Sequence, residues 1–238
     1  MAERLAPGLH LLDLGWAAPL GANAYLVDDG EITLVDAGFP LNATRVREEI
    51  RAAGVAVADV DRVLLTHYDL DHVGGLSRLV PDLEAPVYLG DLDLRLLRGE
   101  WDPPALHHKG LFHRGLRRLH RLPDSLELHP VHDGDEVGGF RAFHTPGHNP
   151  GHTVYVHAGL GAAMLGDLVW AEDGGLTTPV LLDSYDLATI RNSVRRFAAE
   201  APPFEMACVA HGRPLLADGD DALRALADRL PADAPAEY

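Results

Sequence analysis

Residues 66–75, with the sequence THYDLDHVGG, place two histidines and two aspartates within a span of six residues. His67, Asp69, Asp71 and His72 follow a short apolar run, so they emerge where a buried strand is predicted to end. Carboxylates crowded away from water repel each other strongly unless a cation offsets them. Neutral imidazoles and carboxylates are also common ligands of divalent metals. The pattern therefore favours a metal site over a polar loop with helix-capping aspartates.

Three later segments also place histidine or aspartate directly after an apolar run. Residues 144–152 read HTPGHNPGH, and their Pro-Gly pairs predict turns that aim side chains inward. Asp167 and His211 each follow a short apolar run of their own. Polar residues at strand ends are where sites assemble in α/β proteins, so these side chains are candidates to join the first cluster.

The elements that must position these residues are short apolar runs alternating with amphipathic stretches. Strands are predicted at 9–14, 24–28, 32–35, 62–65, 87–89, 140–144, 153–157, 162–165 and 206–209. Helices are predicted at 42–53, 76–80, 187–199 and 218–230. Asp28-Asp29-Gly30 is a hairpin turn signal between two of the strands. The alternation predicts an α/β fold with helices covering sheet faces.

Residues 100–125 interrupt this pattern and are predicted to form an inserted helical cap on a single domain covering residues 1–238. Glycines and prolines break their helical propensity, and the part from 107 to 121 is basic in an acidic chain. That local charge suits an anionic substrate, whereas a solvated basic helix is the alternative. Five side chains are candidate substrate contacts, with packing roles as the alternative for the tyrosines: Tyr68, His107, His108, His113 and Tyr185.

Composition excludes several other classes of protein. The 238 residues carry 36 acidic and 20 basic side chains, a net charge of -16, which disfavours binding to nucleic acid or to an anionic membrane surface. We find no apolar run long enough to span a bilayer and no signal-peptide core. The single cysteine, Cys208, fits a reducing compartment. We therefore expect a cytoplasmic protein with a small-molecule substrate, and a frayed tail at 231–238; its oligomeric state is open.

Five ordered segments resemble the signatures of the metallo-β-lactamase superfamily. They are LVDAG at 34–38, TH-x-D-x-DH-x-GG at 66–75, TPGH-x-PGH at 145–152, LGD at 165–167 and AHG at 210–212. Five signatures in order are far more specific than any one of them. The resemblance implies a four-layer αββα sandwich, in which two β-sheets lie face to face with helices outside, and a two-metal site at one edge.

The resemblance also implies a role for each residue. It implies that one metal is held by His67, Asp69 and His148, and a second by Asp71, His72 and His211, with Asp167 bridging. Asp36 matches an aspartate that supports the ligand loop, and Asp71 matches a residue that passes a proton to the leaving group. His152 matches a position that is not usually a ligand, and His144 is interpreted as a strand residue.

Asp69 departs from the family pattern, because most members have histidine at that position. A carboxylate there resembles the flavodiiron branch, although we expect no counterpart of that branch's flavin-binding domain in these 238 residues. Two dications, three aspartates and one hydroxide sum to zero charge, whereas histidine at position 69 would leave +1. The extra carboxylate favours iron or manganese more than an all-histidine site would. We expect two divalent ions, with zinc as the first choice and iron or manganese as alternatives.

A dinuclear metal-dependent hydrolase is the leading functional hypothesis. Metal binding lowers the pKa of water to about 7, and a hydroxide bridging two ions would attack an ester, thioester, lactone or phosphoester bond. Asp69 motivates a first alternative, an iron-dependent redox enzyme of flavodiiron-like or dioxygenase-like type. A non-catalytic metal-binding module is the second alternative, although structural metal sites are usually closed and four-coordinate.

Overall fold

The structure is a computed structural model that describes residues 2–12, 14, 21–104 and 106–231. The strands are β1 Glu3–Ala6, β2 Leu9–Leu12, β3 Ala24–Asp28, β4 Ile32–Val35, β5 Arg62–Leu65, β6 Val87–Gly90, β7 Leu128–Val131, β8 Glu136–Val137, β9 Phe140–His144, β10 Thr153–His157, β11 Ala162–Gly166, β12 Trp170–Glu172, β13 Gly175–Thr177 and β14 Met206–Val209. The α-helices are α1 Ala43–Ala52, α2 Leu70–Val73, α3 Leu76–Leu79, α4 Asp91–Arg98, α5 His108–Leu119, α6 Leu187–Glu200 and α7 Gly219–Arg229. The tail predicted at 231–238 lies outside the described residues from residue 232 onward.

Two main sheets and one small hairpin contain these strands. The first sheet has the order β1-β2-β3-β4-β5-β6-β7, antiparallel up to β4 and parallel from β4 to β7. The second has the order β14-β11-β10-β9-β8, in which only β11 and β14 are parallel neighbours. β12 and β13 form the hairpin. Because parallel strands end at the same sheet edge, residues that follow β4 and β5 emerge side by side.

The side chains of β5 show how the layers are built. Val63 and Leu65 pack with Ile50 of α1 in a cluster on the helix-facing side of the first sheet. Leu64, which points to the opposite face as strand geometry requires, packs with Tyr155 of β10 between the two sheets. A third cluster joins the second sheet to α6 and α7. The layers therefore run helix, sheet, sheet, helix, and the predicted αββα fold is confirmed.

The segment predicted as a cap contains one α-helix, α5, between two loops. Its buried residues are Lys109, Gly110, His113 and Leu116, so one face of this basic helix is turned into the protein. Across the described part of the chain, no helix combines the length and the apolar character needed to cross a membrane.

Candidate metal centre

The predicted ligands lie at one edge of the two facing sheets, where several strands end. His67 and Asp69 follow β5, and Asp71 and His72 lie in the short helix α2. The other three follow strands of the second sheet: His148 after β9, Asp167 after β11 and His211 after β14. Two hydrogen bonds join the sheets here, from the Tyr155 hydroxyl to the Leu65 carbonyl and from the Thr153 amide to the Thr66 carbonyl. The fold thus brings distant segments of the sequence to one place.

A tight turn after β5 shapes the ligand loop. Asp69 precedes α2, and its carbonyl accepts the amide hydrogens of His72 and Val73 at 3.0 and 2.9 Å. Gly75 follows the helix and packs against the loop after β4, where a Cβ atom at Gly75 would lie 2.0 Å from the Ala37 carbonyl oxygen. A side chain at this position would therefore push the ligand loop away from the loop that carries Asp36.

The candidate ligand atoms form two groups, which we call the first and second subsites. In the first subsite, formed by His67, Asp69 and His148, Asp69 Oδ2 lies 3.5 Å from His67 Nε2 and 3.1 Å from His148 Nε2. In the second, formed by Asp71, His72 and His211, Asp71 Oδ2 lies 3.9 Å from His72 Nε2 and 3.6 Å from His211 Nε2. Within each subsite the ligand atoms all lie within 4.8 Å of one another.

Asp167 lies between the two subsites. Its Oδ2 is 3.3 Å from His148 Nε2 in the first and 3.3 Å from His211 Nε2 in the second. The aspartate side chain is 2% exposed. A carboxylate in this position can contribute to both subsites at once, which is the geometry that a bridging ligand needs.

Three buried candidate ligand atoms have no hydrogen-bond partner among the described residues: His67 Nε2, His72 Nε2 and Asp167 Oδ1. Buried polar atoms are almost always paired, because an unpaired one loses its hydration without compensation. The same three residues form a further group whose ligand atoms lie within 4.8 Å of one another. Imidazole nitrogens and a carboxylate oxygen are suitable donors for a divalent metal, so the residues present fit the ion that the site implies.

The opposite ring nitrogens of His67 and His72, their Nδ1 atoms, have hydrogen-bond partners. His72 Nδ1 donates to Asp36 Oδ2 at 2.8 Å, and His67 Nδ1 lies 3.0 Å from the Thr66 hydroxyl. Thr66 in turn donates its amide and its hydroxyl to the Asp36 carboxylate at 2.9 and 2.8 Å. Such partners fix the orientation of a metal-binding imidazole and leave its opposite nitrogen free.

Opposing electrostatic effects act on the histidines. Burial, with the neighbouring His72, lowers the pKa of His67 well below its usual value. Burial also disfavours charge on His72, but the carboxylates of Asp36 and Asp71 outweigh it and raise its pKa to about 10. Burial likewise opposes charge on His211, whereas Asp167 raises the pKa of that imidazole to about 8. The carboxylates around His72 and His211 thus stabilise positive charge in the second subsite.

Comparison with known proteins shows to which family the chain belongs. Residues 17–211 match the model of the metallo-beta-lactamase superfamily. The chain belongs to this superfamily. It is 27% identical over 205 residues to a probable metallo-hydrolase, YybB, of Bacillus subtilis, covering 84% of this chain and 81% of the relative.

Solved structures of metallo-β-lactamase proteins show the same fold. A family protein from Thermus thermophilus, TTHA1429, superposes with a TM-score of 0.69 at 26% identity, covering 94% of this chain and 80% of the other. TTHA1623, solved in a di-iron-bound form, has a TM-score of 0.64 at 30% identity, covering 87% and 94%. The chain therefore shares both fold and family with a protein solved with two iron ions.

Asp93 is a site residue of this superfamily member that the sequence analysis missed. It is fully buried in α4 and accepts hydrogen bonds from the Tyr68 amide at 2.8 Å and the Gly151 amide at 2.6 Å. It also accepts from Asn149 Nδ2 at 3.2 Å. Asp93 therefore ties the loop that carries Asp69 to the loop that carries His148. Nothing in its local sequence distinguishes it from an acidic residue in the first turn of a helix.

Lys109 is the second missed residue. Its side chain is 3% exposed, and Nζ lies 2.8 Å from Asp69 Oδ2 and 2.9 Å from His148 Nε2. It also donates to the Asp183 carbonyl at 2.7 Å. Burial disfavours charge on Asp69, but the Lys109 ammonium and the His113 hydrogen bond hold the pKa of that carboxyl well below its usual value. A lysine that is unique in the sequence was a signal that could have drawn attention to this position.

The candidate substrate contacts are placed in different surroundings, and substrate binding by them stays a prediction. His113 is buried, donates through Nε2 to Asp69 Oδ1 at 2.7 Å, and accepts from the Tyr185 hydroxyl at 2.7 Å. Tyr68 is 1% exposed. His107 and His108 bond to backbone carbonyls of the 181–185 region through Nε2. His113 and Tyr185 thus reach the site through Asp69.

Two histidines of the 144–152 segment lie outside both subsites. His152 Nε2 accepts the Asp167 amide hydrogen at 3.0 Å, and its Nδ1 lies 2.8 Å from the Thr145 hydroxyl. His144 Nε2 donates to the Pro150 carbonyl at 2.7 Å. His152 therefore holds the backbone of Asp167, and His144 closes its own loop.

Proposed function

We propose that this protein is a metal-dependent hydrolase acting on an ester, thioester, lactone or phosphoester bond of a small, anionic molecule. The observation that carries the proposal is the set of three unpartnered, buried ligand atoms at the centre of seven histidines and aspartates. Similarity to a probable metallo-hydrolase over most of the chain supports it. The basic helix α5 beside the site supports the anionic character of the substrate.

The donor set supports divalent ions as the cofactor, with one ion in each subsite at full loading. Zinc is the first candidate because imidazole nitrogens suit it, and iron or manganese is favoured by the three carboxylates. A bound dication activates water as a nucleophile and polarises the oxygen of the scissile bond. The histidines and aspartates hold the ions, and Asp36 orients His72 behind them.

Asp71 is proposed as the residue that supplies a proton to the leaving group. Its side chain is 23% exposed, whereas those of Asp69 and Asp167 are 8% and 2% exposed. Burial raises the pKa of Asp71. Among the three carboxylates it is therefore the most exposed, and the one whose surroundings raise its pKa instead of lowering it.

Replacing Asp71 by asparagine tests that role. Asp71→Asn should lower kcat by about 10²-fold or more, the scale of general acid–base catalysis, because the amide has no acidic proton to give. The loss should shrink along a substrate series with progressively better leaving groups, measured at saturating metal. An equal loss across the series would show that Asp71 acts only as a ligand.

A substrate screen on metal-analysed protein tests the function itself. Lactones, thioesters, phosphodiesters and β-lactams would be offered to metal-stripped protein, to reloaded protein and to a reloaded His72→Ala variant. We expect turnover of one class by the reloaded protein, none by the stripped protein and little by the variant. Turnover that survives both metal removal and His72→Ala would contradict a metal-dependent hydrolase.

Iron-dependent redox chemistry is a second candidate function, favoured by Asp69 and by the di-iron form of a 30% identical structure. Protein expressed under zinc limitation would be analysed for metal content and by its optical absorption. Iron in the protein with charge-transfer bands that respond to oxygen would support this candidate. A zinc-loaded, colourless protein that hydrolyses a substrate would remove it.

A further inference from the structure

Lys109 is the only lysine in the chain, beside 19 arginines among the 20 basic residues. The other basic side chains of α5, among them Arg114, Arg117 and Arg118, are partly or fully exposed. Lys109 instead enters the first subsite from the first turn of the helix and is almost completely buried. The one compact ammonium of the protein is thus placed among residues that the family pattern assigns to a metal ion.

The ammonium group is fully satisfied in this position. An ammonium has three hydrogens to donate, and Nζ has three acceptors within 2.9 Å: Asp69 Oδ2, His148 Nε2 and the Asp183 carbonyl oxygen. Two of these acceptors are ligand atoms of the first subsite. Lys109 therefore contacts two of the atoms that a metal ion in the first subsite would use.

The helix is fixed in the position that brings Lys109 there. Its first turn packs closely against Pro103, since a Cβ atom at Gly110 would lie 2.4 Å from the proline ring. One turn later, His113 Nε2 donates to Asp69 Oδ1, so α5 supplies a donor to each carboxylate oxygen of Asp69. Histidine, the usual residue at this position, has no pair of oxygens to accept both donors. The carboxylate at position 69, which departs from the family pattern, thus provides the two acceptors that Lys109 and His113 use.

The second subsite differs in this respect. No ammonium enters it, and His72 Nε2 has no hydrogen-bond partner among the described residues; the same holds for Asp167 Oδ1 between the subsites and for His67 Nε2, the one candidate ligand of the first subsite that Lys109 does not contact. Asp71 faces the His72 and His211 nitrogens. In the first subsite the Asp69 charge is already neutralised by an ammonium, whereas the donors around His72 are free to accept a cation.

We propose that Lys109 is an internal cation of the first subsite, so that the resting protein binds one divalent ion tightly, through the donors that Lys109 leaves free. A second ion enters the first subsite only when Lys109 is displaced from Asp69 and His148. The inference rests on the proposed metal-dependent function, and it makes the two subsites unequal. Lys109 acts here as a positioning residue, because it sets where the metal is held.

Metal counting by equilibrium dialysis against buffered free zinc tests the proposal. Wild-type protein should bind one zinc ion per chain over a range of free zinc in which Lys109→Met binds two. Methionine keeps the length of the side chain and removes its charge, and we expect the second ion to bind at least tenfold more tightly in this variant. Arg118→Met is the matched control, since it removes an exposed cation from the same helix and should leave the count at one.

A measurement on the unmutated protein keeps the test independent of how the variant folds. Because Lys109 is unique, protein labelled with ¹³C at the lysine ε-carbon gives a single lysine ε-methylene NMR signal. The first equivalent of zinc should leave Lys109 protected from an amine-acylating reagent, and only excess zinc should shift its signal and expose it to the reagent. Two ions of equal affinity in both wild type and Lys109→Met, with Lys109 released by the first equivalent, would overturn the proposal but leave the hydrolase intact. Failure of both proteins to bind any zinc, manganese or iron would overturn the proposed function as well.

Discussion

At the scale of single residues, the site depends on side chains that hold other side chains. The Asp36 carboxylate accepts hydrogen bonds from the Thr66 amide, the Thr66 hydroxyl and His72 Nδ1. The two hydrogen bonds from Thr66 hold the carboxylate in place. The third orients the imidazole so that His72 Nε2 faces the ligand cluster. Asp36 has a left-handed backbone conformation, with φ of 58°, which an aspartate tolerates better than most residues and which turns the chain at the end of β4.

Replacing Asp36 by asparagine should weaken metal binding by about 10- to 100-fold, the usual cost of losing such a partner. An amide offers one acceptor oxygen and presents a donor where the carboxylate accepts, so it cannot serve all three donors. The affinity would be measured by competition with a chromophoric chelator.

The chain offers a matched control for this variant. His157 Nε2 donates to Asp29 Oδ2 at 2.8 Å, an aspartate–histidine pair near the opposite end of β4. Asp29→Asn should leave the metal affinity unchanged. Equal affinities in wild type and Asp36→Asn would show that Asp36 does not support His72.

The residues that sequence reasoning identified in the site are those within short, dense motifs. His67, Asp69, Asp71 and His72 stand within six residues, and the resemblance extends the set to His148, Asp167 and His211. Asp93 and Lys109 belong to no such motif. They reach the site only because α4 and α5 fold against it, 58 and 39 residues away from their partners Gly151 and His148.

At the scale of elements, three strands show which sequence patterns predict a strand. β3 and β4 begin and end where predicted, because each is an apolar run bounded by a turn signal. β7, Leu128–Val131, was not predicted, and it contains Pro130, a residue that is unfavourable inside a strand. It lies at the edge of the first sheet, where proline is tolerated because a strand is paired on one side only.

Gly75 tests how tightly the ligand loop packs against the loop after β4. Gly75→Ala should lower the free energy of unfolding by about 1–3 kcal/mol, the usual cost of overpacking, because the new Cβ atom would lie 2.0 Å from the Ala37 carbonyl oxygen. Metal affinity should fall with it, since both loops carry residues of the site. Urea unfolding and zinc competition would measure the two effects.

Gly115→Ala is the matched control, because a Cβ atom there meets nothing within 4 Å and the residue lies inside helix α5. This variant should be neutral or stabilised by up to about 1 kcal/mol, the helix propensity difference between glycine and alanine. If Gly75→Ala is as stable as Gly115→Ala, the close contact between the two loops does not constrain the site.

At the scale of the whole molecule, the layers decide which groups are accessible. Hydrophobic periodicity alone predicted alternating strands and helices, but the stacking of two sheets face to face came from the family resemblance. The physical reason is that strands such as β5 are buried on both faces, so their pattern does not say what lies on each side. The structure shows helices on one side and the second sheet on the other.

Cys208 reports on the integrity of these layers. It lies between the sheets with no exposed surface, and burial raises the pKa of its thiol to about 12. At pH 8 the thiol is therefore protonated and shielded in the folded protein, and it becomes reactive only on unfolding. A chromogenic disulfide reagent should label the native protein far more slowly than protein in concentrated urea. Rapid labelling of the native protein would mean that the sheets separate readily.

The most direct test of the central claim is the metal content of wild type and of Asp167→Ala, measured by mass spectrometry after both are reloaded and gel-filtered together. Asp167 Oδ2 lies 3.3 Å from a histidine nitrogen of each subsite, so its loss should weaken every mode of metal binding at this edge. We predict that wild type retains at least one zinc, iron or manganese ion per chain, and that the folded variant retains almost none. Equal metal content in the two proteins, or none in wild type, would contradict the assignment of this cluster as a metal centre.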